Sequence, residues 1–482
     1  MSPRRNDLEQ PVKLDKTTER LGTDPLGKLI LRLGLPSIVS MVAMSLYNLV
    51  DTFWVGKLGY QAVAAITVTL PFFILFSALG LGTGIGVNAL ISRRFGERNV
   101  ASANAACGQI FFLSLVLGIV ITLLTNLFPR QILILCGATP DILDFGEPYL
   151  RVIGLGMPLF LFTVVSRFVF QASGDAIKPM IFVIISEVCN AILAPFFIFG
   201  WGGFPRLGMA GAALATVLSA GLSTALALWY LITGKTAYRI KSGHFKPQLP
   251  TVVSIYRVGL PSMFIQATEG IVFAWFNHII AGFGSLALAA IGIATRISDL
   301  AFLPMMGVSN GLLPIIGFSL GARLRDRLWG TVKKASLWMA LLMTAVTILL
   351  EIFTTQVFSI FNNSPDLLVI AVPGMRIFCS TFMFIGPTLV FISAFQGLSK
   401  GKDALVLSLA RQFIFFLPGL YILSYFFGLT GIWISMPVSD FLGFVVAGLW
   451  IYREYRHQQK DKFWIKQPAE KEEPEKSLDS PG

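Results

Sequence analysis

The chain has 482 residues, and its composition differs from that of a water-soluble domain. Hydrophobic residues make up 55% of the chain and charged residues only 13%, whereas soluble domains are roughly half apolar and a quarter charged. The 4 cysteines and 3 histidines are scattered along the chain, without the close spacing of a metal or disulfide motif. Composition therefore excludes a soluble enzyme, and we expect no metal and no cofactor.

Long uncharged segments indicate the fold class, because a helix needs about 20 apolar residues to cross a bilayer. We predict an all-α polytopic membrane protein with twelve transmembrane helices. In chain order the predicted helices are 29–56, 62–90, 102–126, 147–171, 179–200, 208–232, 254–280, 286–318, 332–355, 368–396, 404–426 and 429–452.

The net charge of +12 raises the question of a nucleic-acid partner, and the placement of the basic residues argues against one. With the amino terminus inside, most of the 38 Lys and Arg fall at the cytoplasmic ends of the predicted helices. This asymmetry is the positive-inside signal of membrane proteins. We therefore expect no nucleic-acid partner, a cell (inner or plasma) membrane location, and both termini in the cytoplasm.

An internal repeat divides the chain into two similar halves. The segment Arg32–Ser37 returns 225 residues later as Arg257–Ser262. The glycines at positions 82, 86 and 96 return at 307, 311 and 321 in the same register. Each unit holds six crossings, an even number, so the two units enter the membrane from the same side as parallel repeats.

The repeat predicts the domain organisation. We expect a cytoplasmic tail at 1–25, an N-lobe of six helices at 26–233, a cytoplasmic linker at 234–251, a C-lobe of six helices at 252–453, and a disordered cytoplasmic tail at 454–482. Two facing bundles would enclose a central cleft, as in transporters that open to each side in turn. A channel or receptor scaffold is the alternative role for such a duplicated bundle.

Acidic residues inside the predicted helices are candidate site residues, because a charge at the bilayer centre costs about 2.5–3.5 kcal/mol on insertion scales. In the first half, Asp51 lies three residues after Asn48, so the two share a helix face. Glu187 and Asn190 repeat this spacing in the fifth helix. The alternative for Asp51 is a helix end at the outer interface, and for Glu187 it is a position near the cytoplasmic end.

The second half offers three further carboxylates. Glu269 lies in the middle of the seventh helix, and Gln266 precedes it on the same face. Asp440 has no basic residue nearby in sequence, so it either lines the cleft or bonds to a neighbouring helix. Asp299 is three residues from Arg296, and a mutual ion pair is the simplest account of both.

A cleft lined by carboxylates, in a chain with 41 Phe and 14 Met, suits lipophilic cations. Carboxylates attract the positive charge, aromatic rings add cation–π attraction, and flexible Met side chains adapt to different shapes. Burial favours the neutral carboxyl group, so such a group could exchange a proton for substrate. Most Phe and Met residues must nevertheless face lipid.

Several motifs, in this order, make residues 26–453 resemble the multidrug and toxic compound extrusion (MATE) family. They are Asn48–Thr52, Gln171–Asp175, Gly211–Thr216, and Arg411–Phe413 followed by Pro418. The resemblance implies two six-helix lobes and cation-coupled antiport of organic cations. It also implies a coupling role for Asp51, a bending role for Pro36 in the first helix, and a place for Thr216 in the binding region.

The chain departs from the family pattern at two acidic positions. The fifth helix has Ala194 where the family often has Asp, and Glu187, two turns away, is the available substitute. In the tenth helix, Ile385 stands where the family pattern has an Asp. A hard cation needs several oxygen ligands, so this arrangement favours protons over sodium as the coupling ion.

Two other classes of function stay open. A lipid or lipid-linked sugar flippase of the same superfamily would need cationic residues to hold phosphate, and Arg151, Arg296 and Arg376 are the candidates. Arg151 and Arg376 lie near the outer ends in repeat-equivalent positions, where a structural role is the simpler account. A membrane enzyme would need a nucleophile, metal or phosphate-loop motif, and the sequence shows none. We therefore expect a monomeric, non-enzymatic antiporter whose partners are small organic cations and the lipid bilayer.

Overall fold

The computed structural model describes residues 14–461 and 464, and within them the secondary structure is helical, without β-strands. Residues 1–13 of the expected N-terminal tail lie outside the described residues, as do 462, 463 and 465–482 of the expected C-terminal tail. The beginning of that C-terminal tail is ordered, because the last helix continues to Lys460. There Glu454 accepts a hydrogen bond from Lys400 at 2.6 Å.

The first half begins with a short helix and continues with long apolar ones. Its helices are α1 (Lys16–Thr23), α2 (Leu26–Gly56), α3 (Tyr60–Gly96), α4 (Val100–Leu127), α5 (Pro129–Leu135), α6 (Pro140–Leu155), α7 (Met157–Ala172), α8 (Ile177–Phe199) and α9 (Met209–Ile232). Polar side chains cap two of them: Asp15 accepts from the Thr17 amide at 3.1 Å, and Asn99 accepts from the Ser102 amide at 3.0 Å.

The second half repeats this order of elements. Its helices are α10 (Leu249–Ala281), α11 (Ser285–Gly321), α12 (Arg325–Phe361), α13 (Pro365–Cys379), α14 (Phe382–Gly397), α15 (Gly401–Leu409) and α16 (Leu417–Lys460). A π-helical turn, Ala410–Phe416, joins α15 to α16. Gly428 has a φ of 57° and breaks α16 into two parts.

The helix lengths agree with the predicted fold class. Among the described residues, 8 helices are long and apolar enough to cross a membrane, and the bent pairs α6–α7 and α13–α14 raise the number to 10. The 60-residue stretch Gly401–Lys460 counts once here, although it is about three times as long as one crossing requires and is divided at Gly428 into two crossings. The 33-residue α10 holds the repeat position of α2, which gives twelve crossings.

Some predicted helix boundaries were wrong. The fourth crossing, expected at 147–171, begins at Pro140 and bends by 56° between α6 and α7. The ninth, expected at 332–355, runs from Arg325 to Phe361. Apolar composition marks only the part of a helix that lies in lipid, so it misses the polar turns beyond each end.

Equivalent hydrogen bonds, as well as equivalent helices, occur in the two halves. Gln171 donates to Ser37 Oγ at 3.2 Å, and its repeat equivalent Gln396 donates to Ser262 Oγ at 3.1 Å. The backbone repeats too, since Arg98 and Arg323 both have a φ of 56°. The 225-residue offset is therefore a structural repeat.

The lobes meet closely at one end of the bundle, which we call the closed end. In α3, a Cβ atom on Gly82 would lie 2.7 Å from the carbonyl oxygen of Gly259, and one on Gly86 would overlap the carbonyl oxygen of Ile255. At the other end, a Cβ atom added to Gly284 or Gly292 of the C-lobe would meet no neighbouring atom. The lobes therefore have a close seam at the closed end.

Segments before each repeat cross the closed end. In α1, Thr18 donates to the Ser173 carbonyl of the N-lobe at 3.0 Å. Arg327 of the C-lobe donates to the carbonyls of Leu21 at 2.8 Å and Asp24 at 2.7 Å. The segment around α1 is therefore bonded to both lobes.

The linker is held in a similar way in the repeat-equivalent place. Gln109 of α4 donates to the carbonyls of His244 at 3.1 Å and Lys246 at 2.9 Å. It also accepts from the Gln248 amide at 2.9 Å. The third crossing of each lobe thus binds the segment that precedes the first crossing of the other lobe.

Candidate functional site

Three helices of the N-lobe bring polar side chains together around Thr216. Asn190 of α8 donates to Thr216 Oγ1 at 3.0 Å, and the hydroxyl of Tyr47 of α2 lies 3.2 Å from the same oxygen. The Thr216 hydroxyl donates to the Ala212 carbonyl at 3.2 Å. Because that proton is already used, Tyr47 is the donor in its contact with Thr216.

Asp51 lies one helical turn after Tyr47 and is buried, with 8% of its surface exposed. Its Oδ1 atom has no hydrogen-bond partner among the described residues. Its charge interacts electrostatically with Tyr47, Tyr149 and Glu187. A buried carboxylate without a partner is costly, so this oxygen is suited to hold a proton or a cation.

We call Tyr47, Asp51, Tyr149, Glu187, Asn190 and Thr216 the N-lobe cluster. It joins candidate residues from three separate sequence motifs. Glu187, the residue that the sequence offered as a substitute for the missing Asp of the fifth helix, interacts electrostatically with Asp51. Its role as that substitute stays a prediction.

The remaining N-lobe candidates have simpler surroundings. Asn48 is exposed on α2. Pro36 lies inside a helix that continues from Leu26 to Gly56, and its carbonyl accepts a hydrogen bond from Ser40 at 2.9 Å. The bending role of Pro36 stays a prediction.

The C-lobe contains a second charged cluster, which we define as Glu269, Arg411 and Asp440. Arg411 donates to Asp440 Oδ1 at 2.8 Å, which decides between the two alternatives for Asp440 in favour of a bond to a neighbour. Glu269 is exposed on α10, and its charge interacts with that of Arg411. Gln266, half-buried, lies one turn before Glu269.

Each of the three cationic residues named from the sequence has an acidic partner. Arg151 is bound to Glu147 at 2.9 Å, and its repeat equivalent Arg376 lies 3.6 Å from Glu351. Arg296 interacts electrostatically with Asp299. Arg411, absent from the predicted candidates, is bound to one candidate carboxylate, Asp440, and interacts electrostatically with another, Glu269.

Sequence reasoning also missed Arg167 and two tyrosines of the N-lobe cluster. Arg167 of α7 contacts the sulfur of Met44 at 3.7 Å and lies over the ring of Phe168. Tyr47 could have been found from its position four residues before Asp51, on the same helix face. No sequence signal linked Tyr149 to this site.

No group of three or more His, Cys, Asp or Glu residues that could hold a metal ion is present in the described part of the chain. The donors that the structure does provide are carboxylate, amide and phenol groups inside two similar helical lobes. Such donors can bind a small molecule or carry a proton, and the paired lobes can open to one side at a time. The fold and the two clusters therefore have the features of a membrane transporter.

Comparison with known proteins gives the family. The MatE family model matches residues 36–196 and 261–422, two segments whose starts are 225 residues apart, as in the repeat. The chain belongs to this family, and the predicted resemblance and fold class are confirmed. It is a MATE-family efflux transporter that takes small molecules across a membrane.

Individual relatives cover most of the chain. It is 26% identical to the multidrug export protein MepA of Staphylococcus saprophyticus, over 88% of this chain and 93% of the relative. It is 25% identical to an FAD transporter of Shewanella oneidensis, over 87% and 92% respectively. Among solved structures, an outward-facing multidrug resistance MATE transporter is 27% identical, with a TM-score of 0.87 over 93% of this chain and all of the other.

Proposed function

We propose that the protein is a secondary antiporter that exports small organic, mostly cationic and lipophilic compounds in exchange for protons. The observation that carries this proposal is Asp51, a buried carboxylate with an unpartnered oxygen inside a membrane-spanning helix. A proton or a cationic substrate can neutralise it, but not both at once. Competition for one carboxylate couples the two fluxes in opposite directions when the protein changes sides only with that carboxylate neutralised.

The arrangement of charges supports cations as substrates. The N-lobe cluster contains two carboxylates, Asp51 and Glu187, and no basic residue. In the C-lobe cluster, Arg411 is bound to Asp440, which leaves the charge of Glu269 in excess. Both clusters are therefore net negative when their carboxyl groups are ionised.

The N-lobe cluster supports protons rather than sodium as the coupling ion. Sodium would need several oxygen ligands around one point. Here Thr216 Oγ1 is already engaged by Asn190, Tyr47 and Ala212. A proton needs only the free Asp51 oxygen.

The positive-inside rule supports a cytoplasmic closed end, because Arg93, Arg94 and Arg323 lie beside the contact between Gly321 and Arg93. We infer that the conformation is open to the outside, like the outward-facing transporter to which the chain is similar. The protein then functions in the plasma or inner membrane as a monomer. Cysteines introduced at Gly203 and Asn362 should react with an impermeant thiol reagent from outside, and one at Lys402 only after permeabilisation; the reverse pattern would contradict this topology.

Proteoliposomes test the substrate class and the coupling ion. We expect an imposed pH gradient, but not a sodium gradient, to drive transport of tetraphenylphosphonium by the purified protein. Asp51→Asn should abolish this uphill transport. Asp141→Asn changes an exposed acidic residue in the first turn of α6. This matched control should transport like the wild type. If the Asp51→Asn protein also transports like the wild type, Asp51 is not the coupling residue.

An anionic substrate is the second candidate. Two observations favour it: the intramembrane arginines Arg167 and Arg411, and the relative named as an FAD transporter. A flippase for lipids or lipid-linked sugars would need the same cationic groups. Transport of FAD or of a fluorescent anionic lipid in the same vesicles, without tetraphenylphosphonium transport, would establish this alternative.

A further inference from the structure

The C-lobe cluster holds one positive charge against the carboxylate of Asp440 and within electrostatic range of Glu269, which belongs to another element. Arg411 belongs to the π-helical turn Ala410–Phe416, Asp440 to the second part of α16, and Glu269 to α10. The guanidinium of Arg411 donates to Asp440 Oδ1 at 2.8 Å and interacts electrostatically with Glu269. The three groups together carry a net charge of −1 when ionised.

Local structure holds the arginine in place. Gly443 lies one turn after Asp440, and a Cβ atom there would lie 3.0 Å from Arg411 Cγ and 3.2 Å from its Cδ. The stem of Arg411 therefore packs against the bare backbone at Gly443. The π-helical turn is a rare irregularity that is frequent at functional sites, and it sets the direction from which Arg411 leaves its helix.

Exposure differs between the two bonded partners. The Asp440 side chain is 5% exposed, and that of Arg411 is 34% exposed. Asp440 is therefore fully enclosed, whereas one side of the guanidinium remains accessible. The pair closes the inner part of the cluster, and Glu269 is the carboxylate left for an incoming cation.

We propose that Arg411 is a built-in cation that competes with sodium and with the exported cation for the carboxylates of Glu269 and Asp440. The guanidinium holds the place beside Asp440, within electrostatic range of Glu269, that a hard cation would otherwise favour. Arg411 thereby keeps the C-lobe cluster free of metal ions and limits it to one negative charge for substrate. The substrate part of this inference rests on the proposed function, whereas the sodium part does not.

Removal of the arginine charge should create a sodium site. In Arg411→Gln, the buried Asp440 loses its counter-charge, which destabilises the protein, and sodium can supply a replacement. Arg411→Lys keeps a positive charge and serves as the matched control. Sodium that binds only the folded state should raise the melting temperature.

The melting temperature of full-length protein in detergent, in sodium chloride and in choline chloride of equal ionic strength, tests this. We expect Arg411→Gln to melt about 3 °C higher in sodium, and the wild type and Arg411→Lys to melt alike in both salts. The double variant Arg411→Gln/Glu269→Gln should lose the response. The proposal is overturned if Arg411→Gln shows no sodium-specific rise, or if the wild type shows the same rise.

A second variant avoids the uncompensated buried charge. Arg411→Gln/Asp440→Asn removes both members of the ion pair and leaves Glu269 without a competitor. We expect it to bind tetraphenylphosphonium at least about fivefold more tightly than the wild type, and equal or weaker binding would contradict the proposal. The two proposals can fail separately. If the wild type exports under a pH gradient but the variants show neither the sodium-dependent rise in melting temperature nor the tighter tetraphenylphosphonium binding, only the role of Arg411 is refuted. If the variants show both effects but the wild type does not export, only the antiport proposal is refuted.

Discussion

Gly86 offers a direct test of the seam between the lobes. A Cβ atom at this position would overlap the Ile255 carbonyl oxygen and lie 3.0 Å from the Gly259 amide nitrogen. Both are backbone atoms of α10, so neither can rotate away. Overpacking of this kind costs about 1–3 kcal/mol, and only about 0.5–1 kcal/mol is returned by the better helix propensity of alanine.

Gly86→Ala should therefore shift the protein away from the conformation closed at this end. A cost of about 1–3 kcal/mol corresponds to a population change of about 5–150-fold. Ser92 is fully buried beside Gly317 of α11, so Ser92→Cys reports on the opening of the seam. In a background without the four native cysteines, we expect Gly86→Ala to increase the rate of Cys labelling at position 92 at least about fivefold.

Gly292→Ala is the matched control for this experiment. Gly292 also lies in a membrane-spanning helix, α11, but a Cβ atom there would have open space around it. Its labelling rate should equal that of the unsubstituted protein. Equal rates in all three proteins would show that contact at Gly86 does not hold the closed end together.

Two further predictions follow from the same structure. Ala194→Asp adds another acidic residue to the helix that carries Glu187. We expect the pH optimum of export to rise, because nearby like charges favour the protonated form of each carboxyl group. Ala194→Asn is the neutral control, and an unchanged pH profile of the Ala194→Asp protein would show that position 194 does not reach the coupling group. Arg327→Ala removes the hydrogen bonds that hold the segment around α1, so trypsin should cleave after Arg20 several-fold faster than in the wild type or in Lys333→Ala, an exposed position on the same helix. No difference between the two variants would show that Arg327 does not hold α1.

The repeat was readable from the sequence because its most regular residues have steric roles. The glycines at 82, 86, 307 and 311 lie where backbones of the two lobes approach each other. A larger residue cannot be accommodated at most of these places, so glycine recurs at the same offset. The serine and glutamine that recur in both halves form equivalent hydrogen bonds.

The sites were only partly predictable, because their members are far apart in sequence. Asn190 and Thr216 were separate candidates, and the packing of α8 against α9 joins them across 26 residues. Tyr47 meets Thr216 across 169 residues, and no local pattern indicates that contact. Arg411 and Asp440 are 29 residues apart, with the break at Gly428 between them, so their ion pair depends on a turn whose geometry spacing does not specify.

Proton movement driven by substrate is the measurement that tests the central claim most directly. Vesicles containing a pH-sensitive dye, with no initial pH gradient and the membrane potential clamped, would receive a gradient of tetraphenylphosphonium. We expect the wild-type protein to move protons in the direction opposite to the substrate, and the Asp51→Asn protein to move none. Substrate flux without proton movement in the wild type, or equal proton movement in the variant, would contradict proton-coupled export through Asp51.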